Sequence, residues 1–318
     1  MKCSICQNEA DNRKILLKEM MFGFRDTFEY FECNHCACIQ ILEIPKDLAK
    51  YYPSNYYSYQ AAEVPVKRSI IRRIHYNFHA FGRNKLPGSL LALKFKPPLF
   101  YNWLKELQAG DPNESILDIG CGNGQLLKRI YRLGFNDLTG IDPFLDRDIS
   151  YNASLRLLKK DIFEVDGKFD IIMMHHSLEH MDEQNAVIQK ASSLLTDGGR
   201  MLIRIPIVSR PLMEKYGENV ASLDPPRHLF IHSLTSILKL LEDNALTVYK
   251  TIYDAELFSI LGSEQYAMGI SNVNDDRSYI QNPAGSSFTQ EDLNRFELQI
   301  NALNKKGESD SIALYIKK

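Results

Sequence analysis

The stretch that decides the fold is SILDIGCGNG, residues 115–124. It joins a five-residue segment typical of a short buried β-strand to a turn with glycine at three alternate positions. The residues that follow, QLLKRIYRLG at 125–134, have the apolar spacing of a helix. The stretch is therefore predicted to be a strand, a tight turn and a helix.

The same alternation continues towards the C-terminus. The segments DLTGID at 137–142, FDIIMMHH at 169–176 and RMLIRIPI at 200–207 have the pattern of buried strands, and EQNAVIQKASSLL at 183–195 has helical spacing. Strands that alternate with helices predict an α/β fold with a parallel sheet covered on both faces. In such a fold the ligand binds at the carboxyl ends of the strands.

Composition limits the class of protein. Apolar residues make up 44% of the 318 residues and charged residues 25%, which are ordinary values for a globular protein. The length allows about two domains at roughly 150 residues per domain. Because 38 Lys and Arg face 40 Asp and Glu, the chain has no basic excess of the kind that favours nucleic acid as a partner.

No part of the sequence predicts insertion into a membrane. The opening residues MKCSICQNEADNRK have no apolar segment of a signal peptide. No run approaches the roughly 18 apolar residues of a membrane span. We expect a cytoplasmic protein.

Four of the six cysteines form two pairs, Cys3-x2-Cys6 and Cys33-x2-Cys36. In a cytoplasmic chain this spacing favours a structural Zn²⁺ site with four thiolate ligands over disulfides. His35 and Cys38 are alternatives to Cys36 as the fourth ligand, and reduced core thiols are the alternative to a metal site. The intervening residues 14–33 alternate in polarity as a β-hairpin does.

A basic stretch follows the cysteine module. Residues 51–60 are rich in tyrosine, and from Val64 to Lys105 there is no Asp or Glu. Apolar residues between Ile70 and Phe78 predict a short amphipathic helix, which we expect Pro87, Pro97 and Pro98 to interrupt. The stretch is either a solvated linker or a surface for an anionic ligand or a membrane, with Arg72 and Arg73 as the leading cations.

The spacing of acidic residues suits an adenosine-containing ligand. Asp142 lies 18 residues after Gly124, at the end of the next predicted strand, where a carboxylate accepts hydrogen bonds from ribose hydroxyls. Asp161 ends the following strand, where it can meet the adenine edge. This spacing alone fits both NAD and S-adenosylmethionine.

Residues 116–127, ILDIGCGNGQLL, resemble the first motif of the class I S-adenosylmethionine-dependent methyltransferases. The resemblance continues through GIDP at 140–143, DIF at 161–163, FDIIMMHHSLEHM at 169–181 and LLTDGGRMLIRIP at 194–206. It implies a Rossmann-like sheet of seven strands whose last strand is antiparallel. It also implies the cofactor-binding set Asp118, Gly120, Cys121, Gly122, Gly124, Asp142, Pro143, Asp161, Ile162 and His175.

The cysteine module, together with DPPRHLFIHS at 224–233 and GESDSIALYIKK at 307–318, resembles a bacterial group of zinc-module methyltransferases. That group includes sugar C-methyltransferases, in which the region matching Pro225–His228 is Tyr-x-Glu-His with the histidine as base. Here His228 is retained, while Pro225 and Arg227 replace the tyrosine and glutamate, so the resemblance does not specify the methylated atom.

Methyl transfer needs alignment of the acceptor and removal of one proton, for which a histidine near neutral pKa is suited. His228 is the first candidate for the base, and His175, His176 and His180 are the alternatives. Arg227 is predicted to bind a phosphate or carboxylate of the acceptor.

We therefore expect a zinc-binding module at 1–50, a Tyr-rich and basic helical linker at 51–105 and a class I methyltransferase domain with a C-terminal insertion at 106–318. The predicted function is methyl transfer from S-adenosylmethionine to a small acceptor, such as a sugar, a nucleotide-sugar or a related metabolite. The alternatives are an RNA methyltransferase with a zinc module and a non-catalytic adenosine-binding interaction protein.

Overall fold

A computed structural model describes residues 1–53 and 65–318. The strands are β1 (Arg13–Lys18), β2 (Thr27–Glu32), β3 (Ile39–Ile41), β4 (Ser115–Ile119), β5 (Asp137–Ile141), β6 (Ile149–Asn152), β7 (Leu155–Leu158), β8 (Phe169–His175), β9 (Leu195–Pro206), β10 (Phe230–Ile231), β11 (Thr247–Tyr253) and β12 (Ser311–Lys317). The helices are α1 (Ile70–Phe81), α2 (Lys85–Lys94), α3 (Leu99–Glu106), α4 (Gln125–Tyr131), α5 (Gln184–Leu194), α6 (Arg210–Tyr216), α7 (Leu234–Glu242), α8 (Phe258–Ala267) and α9 (Gln290–Lys306). Within these described residues, no helix combines the length and apolarity needed to cross a bilayer.

The central sheet has the strand order β11-β12-β9-β8-β4-β5-β7-β6. Strands β7, β5, β4, β8 and β9 pair in parallel, and β12 runs antiparallel to both of its neighbours, as the sequence predicts for the last strand. The expected number of seven strands is wrong, since within residues 1–53 and 65–318 the sheet has eight. The additional strand is β6, which forms an antiparallel hairpin with β7 at the edge.

Alternate residues of the sheet enter two different cores, because successive side chains of a strand point to opposite faces. On β4, Leu117 joins one core with residues of α5 and α7, and Ile116 joins the other with residues of α1, α3 and α4. This double burial explains the nearly continuous apolar runs of these strands. The polar residues described below lie outside both cores, at the carboxyl ends of the strands.

Residues 70–106 belong to the methyltransferase core, so the expected linker boundary at 105 is wrong. Helix α1 forms where the sequence predicts a helix, and α3 follows Pro98. Tyr76 and Tyr101 are fully buried against the sheet, and the Tyr76 hydroxyl donates to the carbonyl of Ala109. Pro87 lies in the first turn of α2, where a proline is tolerated. The part of the predicted Tyr-rich connector from 54 to 64 lies outside the described residues.

The N-terminal residues build a second sheet, of order β1-β2-β3-β10. The hairpin predicted between the cysteine pairs is present as β1 and β2. Its fourth strand, β10, comes from the methyltransferase domain and pairs Ile231 with Ile39. The cysteine module is therefore part of one structure with the segment that carries His228, and the expected boundary at residue 50 does not separate two independent units.

Buried charges join the N-terminal hairpin to the loop that leads into β10. Arg227 is fully buried; its Nη2 donates to Glu19 (2.9 Å) and to Asp224 (2.5 Å), and its Nη1 donates to the carbonyl of Tyr51 (3.0 Å). Glu19 lies between β1 and β2 and is also fully buried. A buried guanidinium with such partners is costly to lose, since its removal leaves unpaired carboxylates inside the protein.

We predict that Arg227→Met lowers the free energy of unfolding by about 3–5 kcal/mol, because Glu19 and Asp224 lose their cationic partner. Urea denaturation followed by fluorescence measures the change. Arg210→Met is the matched control, since Arg210 pairs with Glu32 at the surface and its loss is expected to cost less than about 1 kcal/mol. Equal stability of the two variants would contradict the conclusion that the buried ion pairs of Arg227 stabilise the fold.

Candidate active site at the carboxyl ends of the sheet

The glycine-rich turn after β4 has a backbone that side chains would disrupt. Gly120, Gly122 and Gly124 have φ of 74°, 52° and 72°, in the left-handed region. A Cβ on Gly120 would lie 2.5 Å from Cβ of Ser177, and a Cβ on Gly124 would lie 2.7 Å from the methyl groups of Leu157. The turn therefore packs closely on the neighbouring strands while its backbone follows the edge of the sheet.

Asp142 lies beside this turn, directly after β5. Its Oδ2 accepts from the backbone N–H of Gly122 (2.9 Å), and its Oδ1 accepts from the N–H of Phe144 (2.9 Å). Pro143 follows and is exposed. The structure thus brings the predicted ribose-binding carboxylate and the glycine turn together.

Two further polar groups belong to the same end of β4. Asp118 is buried; this burial, reinforced by the negative charge of Asp142, raises the pKa of Asp118 to about 8. The half-buried thiol of Cys121 also has a raised pKa, mainly because of burial and then because of these two carboxylates. Because both raised pKa values show that negative charge is disfavoured here without a counter-charge, a positively charged ligand would be stabilised at this end of β4.

The residues predicted to flank adenine differ in exposure. Asp161 is exposed and caps a short 3-10 helix, Ile162–Glu164, by accepting from the N–H of Phe163 (2.9 Å). The side chain of Ile162 is buried in the core. Asp161 therefore has a local structural role in addition to the role the sequence predicts.

His175, the last residue of β8, packs against an aromatic ring that the sequence analysis did not single out. The centroids of the His175 and Trp103 rings are 4.6 Å apart, and the Arg204 guanidinium lies 4.3 Å from the Trp103 ring centroid. Burial, and then the charges of Arg204 and His176, lower the pKa of His175 well below its usual value. His175 is therefore a neutral imidazole held by packing.

Glu179 is the centre of a group of histidines. It is 1% exposed, and its Oε1 lies 3.4 Å from Nδ1 of His176 and 4.0 Å from Nε2 of His228. Burial alone would raise the pKa of Glu179, but the hydrogen bond from His176 and the charges of His180 and His228 outweigh burial and lower it to about 2. The sequence analysis gave Glu179 no role, although its position one turn after His175–His176 was a usable signal.

His228 faces the carboxylate of Glu179 with its Nε2 atom. Its Nδ1 lies 2.8 Å from the carbonyl of Ser222 and donates to it, so Nε2 keeps a lone pair 3.9 Å from Oδ2 of Asp224. Burial, followed by the neighbouring His180, lowers the pKa of His228 to about 4. His180 lies alongside, with 4.8 Å between the ring centroids.

The predicted role of Arg227 as an acceptor-binding residue is wrong. Its guanidinium is fully buried, and Nε, Nη1 and Nη2 are all engaged by Asp224, Tyr51 and Glu19. Because the described residues enclose it completely, the guanidinium is not accessible to a phosphate or carboxylate of an acceptor.

Arg73 and Arg68 are also misplaced for an acceptor. Nη2 of Arg73 donates to the carbonyl of Gly110 (3.1 Å), and Arg68 donates to Asn136. Gly110 and Asn136 precede the first residues of β4 and β5, at the edge of the sheet opposite the glycine turn. Arg73 and Arg227, two of the three cations expected to hold an anionic part of the acceptor, are therefore engaged by other groups of the protein, and a role for Arg72 stays a prediction.

The four paired cysteines converge. Sγ of Cys3 lies 3.6 Å from Sγ of Cys36, and Sγ of Cys6 lies 3.5 Å from Sγ of Cys33. All four sulfur atoms lie within 4.8 Å of one another. The side-chain amide of Gln40 donates to Sγ of Cys3 (2.8 Å).

The two alternative ligands lie outside this cluster. His35 is exposed, and Cys38 is fully buried with its Sγ 3.8 Å from the carbonyl of Ile39. The structure thus brings together the cysteines that the spacing paired and leaves His35 and Cys38 out.

Comparison with known proteins agrees with this architecture. The family described as "Methyltransferase domain" matches residues 80–251, more than half of the chain, and the chain belongs to this family. The predicted class, a methyltransferase, is confirmed.

Among curated proteins, the ubiquinone biosynthesis O-methyltransferase of Pseudomonas aeruginosa strain UCBPP-PA14 is 30% identical over 126 residues, covering 35% of this chain and 53% of the relative. The eEF1A lysine and N-terminal methyltransferase of Bos taurus is 27% identical over 103 residues, covering 29% of this chain and 15% of the relative. The chain thus spans about half the length of the ubiquinone enzyme and a smaller part of the other. Among solved structures, the geranyl diphosphate C-methyltransferase of Streptomyces coelicolor A3(2) matches with a TM-score of 0.47 and 13% identity, covering 86% of this chain and 96% of that chain.

Proposed function

We propose that this chain transfers a methyl group from S-adenosylmethionine to a small acceptor rich in hydroxyl groups, such as a sugar or a nucleotide-linked sugar. The observation that carries the proposal is the position of Glu179 and His228, a carboxylate–imidazole pair that shares the carboxyl edge of the sheet with the glycine turn and Asp142. A nucleoside site and a proton acceptor at one edge are what methyl transfer to a hydroxyl-bearing acceptor requires.

The residues at β4 and β5 fit the chemistry of this cofactor. Each carboxylate oxygen of Asp142 accepts one backbone hydrogen bond and keeps a further lone pair, with which it can accept a hydrogen bond from a ribose hydroxyl. The carboxylate of Asp142 favours the positive charge of an ammonium or sulfonium group, and such a cation beside Asp118 would lower the raised pKa of Asp118 and favour its ionised form. When bound, S-adenosylmethionine supplies an electrophilic methyl group, and the glycine turn lets the backbone approach it closely.

His228 is the proposed proton acceptor. Because Nδ1 donates to Ser222, Nε2 is available to take the proton of the acceptor hydroxyl. Glu179 and Asp224, at 4.0 and 3.9 Å, stabilise the imidazolium that results.

The polarity around His228 favours hydroxyl groups on the acceptor. Glu179 and Asp224 are hydrogen-bond acceptors, which suits donors such as sugar hydroxyls and disfavours a phosphate at this point. A diphosphate of a nucleotide-linked sugar would therefore lie away from His228. The relatives named as ubiquinone biosynthesis O-methyltransferases support a small-molecule acceptor.

The cysteine cluster is the proposed site of a structural Zn²⁺. A Zn–S bond of about 2.3 Å implies about 3.8 Å between thiolates of a tetrahedron, close to the two distances of 3.6 and 3.5 Å. Four thiolates leave the ion no open position for a substrate, and the amide of Gln40 supplies the outer hydrogen bond that such ligands use.

The first prediction tests the cofactor. Calorimetry should show S-adenosylmethionine binding in the micromolar range, and Asp142→Ala should weaken it by roughly 1.5–3 kcal/mol, the cost of a lost hydrogen bond to a charged group. Asp137→Ala is the control, because Asp137 begins the same strand at the opposite edge. Equal affinity of the two variants would remove the ribose assignment.

The second prediction tests the base. His228→Gln should lower turnover by about 10²–10⁴-fold with nearly unchanged cofactor affinity. Because the pKa of His228 is about 4, wild-type turnover should not fall between pH 8 and pH 6, as it would for an imidazole of ordinary pKa. His79→Gln, on α1, is the control. Normal turnover of His228→Gln would move the base to His176 or His180.

The third prediction tests the metal. Purified protein should contain about one zinc ion per chain, and Cys3→Ser should lose it and destabilise the N-terminal sheet. Cys38→Ser is the control, since Cys38 is fully buried next to the cluster but lies outside it. We expect S-adenosylmethionine affinity to survive in Cys3→Ser, because the cofactor residues lie on the central sheet. If the Cys3→Ser protein contained as much zinc as the Cys38→Ser protein, the proposed four-cysteine zinc site would be excluded.

A further inference from the structure

Helix α2 exposes an apolar face. Leu86, Leu90 and Leu93 are 82%, 69% and 86% exposed. Their spacing of four and three residues places them on one side of the helix. Phe95, directly after the helix, is 49% exposed. We call these four residues the α2 surface.

The opposite side of α2 packs against α1. Gly88 is buried, and a Cβ at this position would lie 2.3 Å from Cβ of Phe78. Leu91 is half-buried on the same helix. The leucines of the α2 surface therefore point away from the protein. No packing against the described residues explains why this face of the helix is apolar.

Cations surround this apolar face. Arg83 and Lys85 lie at the start of α2, and Lys94 and Lys96 lie at its end; all four are exposed. From residue 65 to residue 105 the chain has no Asp or Glu. The segment is thus locally basic in a chain whose formal net charge is −2.

We propose that the α2 surface docks on an anionic lipid bilayer. An apolar helix face flanked by Lys and Arg inserts its leucines at the boundary between headgroups and acyl chains, while the cations contact anionic headgroups. A second copy of this chain fits less well, since a two-fold interface would place the same four cations opposite one another. The proposal does not depend on the identity of the acceptor.

The α2 surface is close in sequence to the candidate active site. Residues 95–98 join α2 to α3, whose Trp103 stacks against His175 at the carboxyl end of β8.

The experiment is co-sedimentation of the full chain with vesicles of phosphatidylcholine alone or with about 30% phosphatidylglycerol. We expect binding to the anionic vesicles that weakens as salt is raised to about 0.5 M. The triple variant Leu86→Gln, Leu90→Gln and Leu93→Gln should bind at least about tenfold less. The variant Lys85→Glu with Lys94→Glu should lose the preference for anionic vesicles.

Leu298→Gln is the matched control, since Leu298 is 73% exposed on α9, and it should bind as the wild type does. Unchanged circular dichroism and thermal midpoint of the triple variant establish that it folds. Failure of the wild type to bind anionic vesicles at low salt, or equal binding by the triple variant, would overturn the proposal. A wild-type dimer in light scattering that the triple variant abolishes, without vesicle binding, would assign the surface to a second copy instead.

Discussion

The buried ion pairs of Arg227 with Glu19 and Asp224 are the interaction on which the attachment of the N-terminal hairpin to the loop before β10 depends. Glu19 belongs to the N-terminal hairpin, whereas Arg227 and Asp224 belong to the loop that leads into β10. The next residue, His228, is held from the same side, because the Tyr30 hydroxyl donates to its carbonyl (2.9 Å). The candidate base is therefore positioned by the N-terminal sheet as much as by the methyltransferase core.

The cysteine cluster acts on the same loop from its other end. The Ser233 hydroxyl donates to the carbonyl of Cys36, and β10 pairs with β3 between Ser233 and His228. The glycine turn has no such direct bond to the cysteine module in the described residues; it is joined to the loop after β8 by the bond from Ser177 to the carbonyl of Ile119 (2.9 Å). A structural metal at the cysteines would thus influence the acceptor side more than the nucleoside side.

The parts of this structure that the sequence predicts are those whose cause is local. Strand β4 begins and ends where the apolar run does, and the hairpin between the cysteine pairs follows from alternating polarity. The role of Arg227 could not be read in this way, because its partner Glu19 is 208 residues distant in sequence. A guanidinium looks the same in sequence whether its partner is a ligand or a buried carboxylate.

Burial and the neighbouring charges determine how basic His228 is. Oδ2 of Asp224 lies 3.9 Å from Nε2 of His228, and the charges of Asp224 and Glu179 favour the protonated imidazole, whereas burial and then the neighbouring His180 oppose it. Burial then prevails, and the pKa of His228 stays near 4. Such an imidazole is neutral, and thus able to accept a proton, throughout the physiological pH range, but it is a weak base. It can take the proton of a hydroxyl only as that oxygen gives up electron density to a new bond, which is the order of events that a strongly electrophilic methyl donor permits. Burial thus has two effects in this loop: it excludes Arg227 from binding the acceptor, and it keeps the imidazole of His228 neutral.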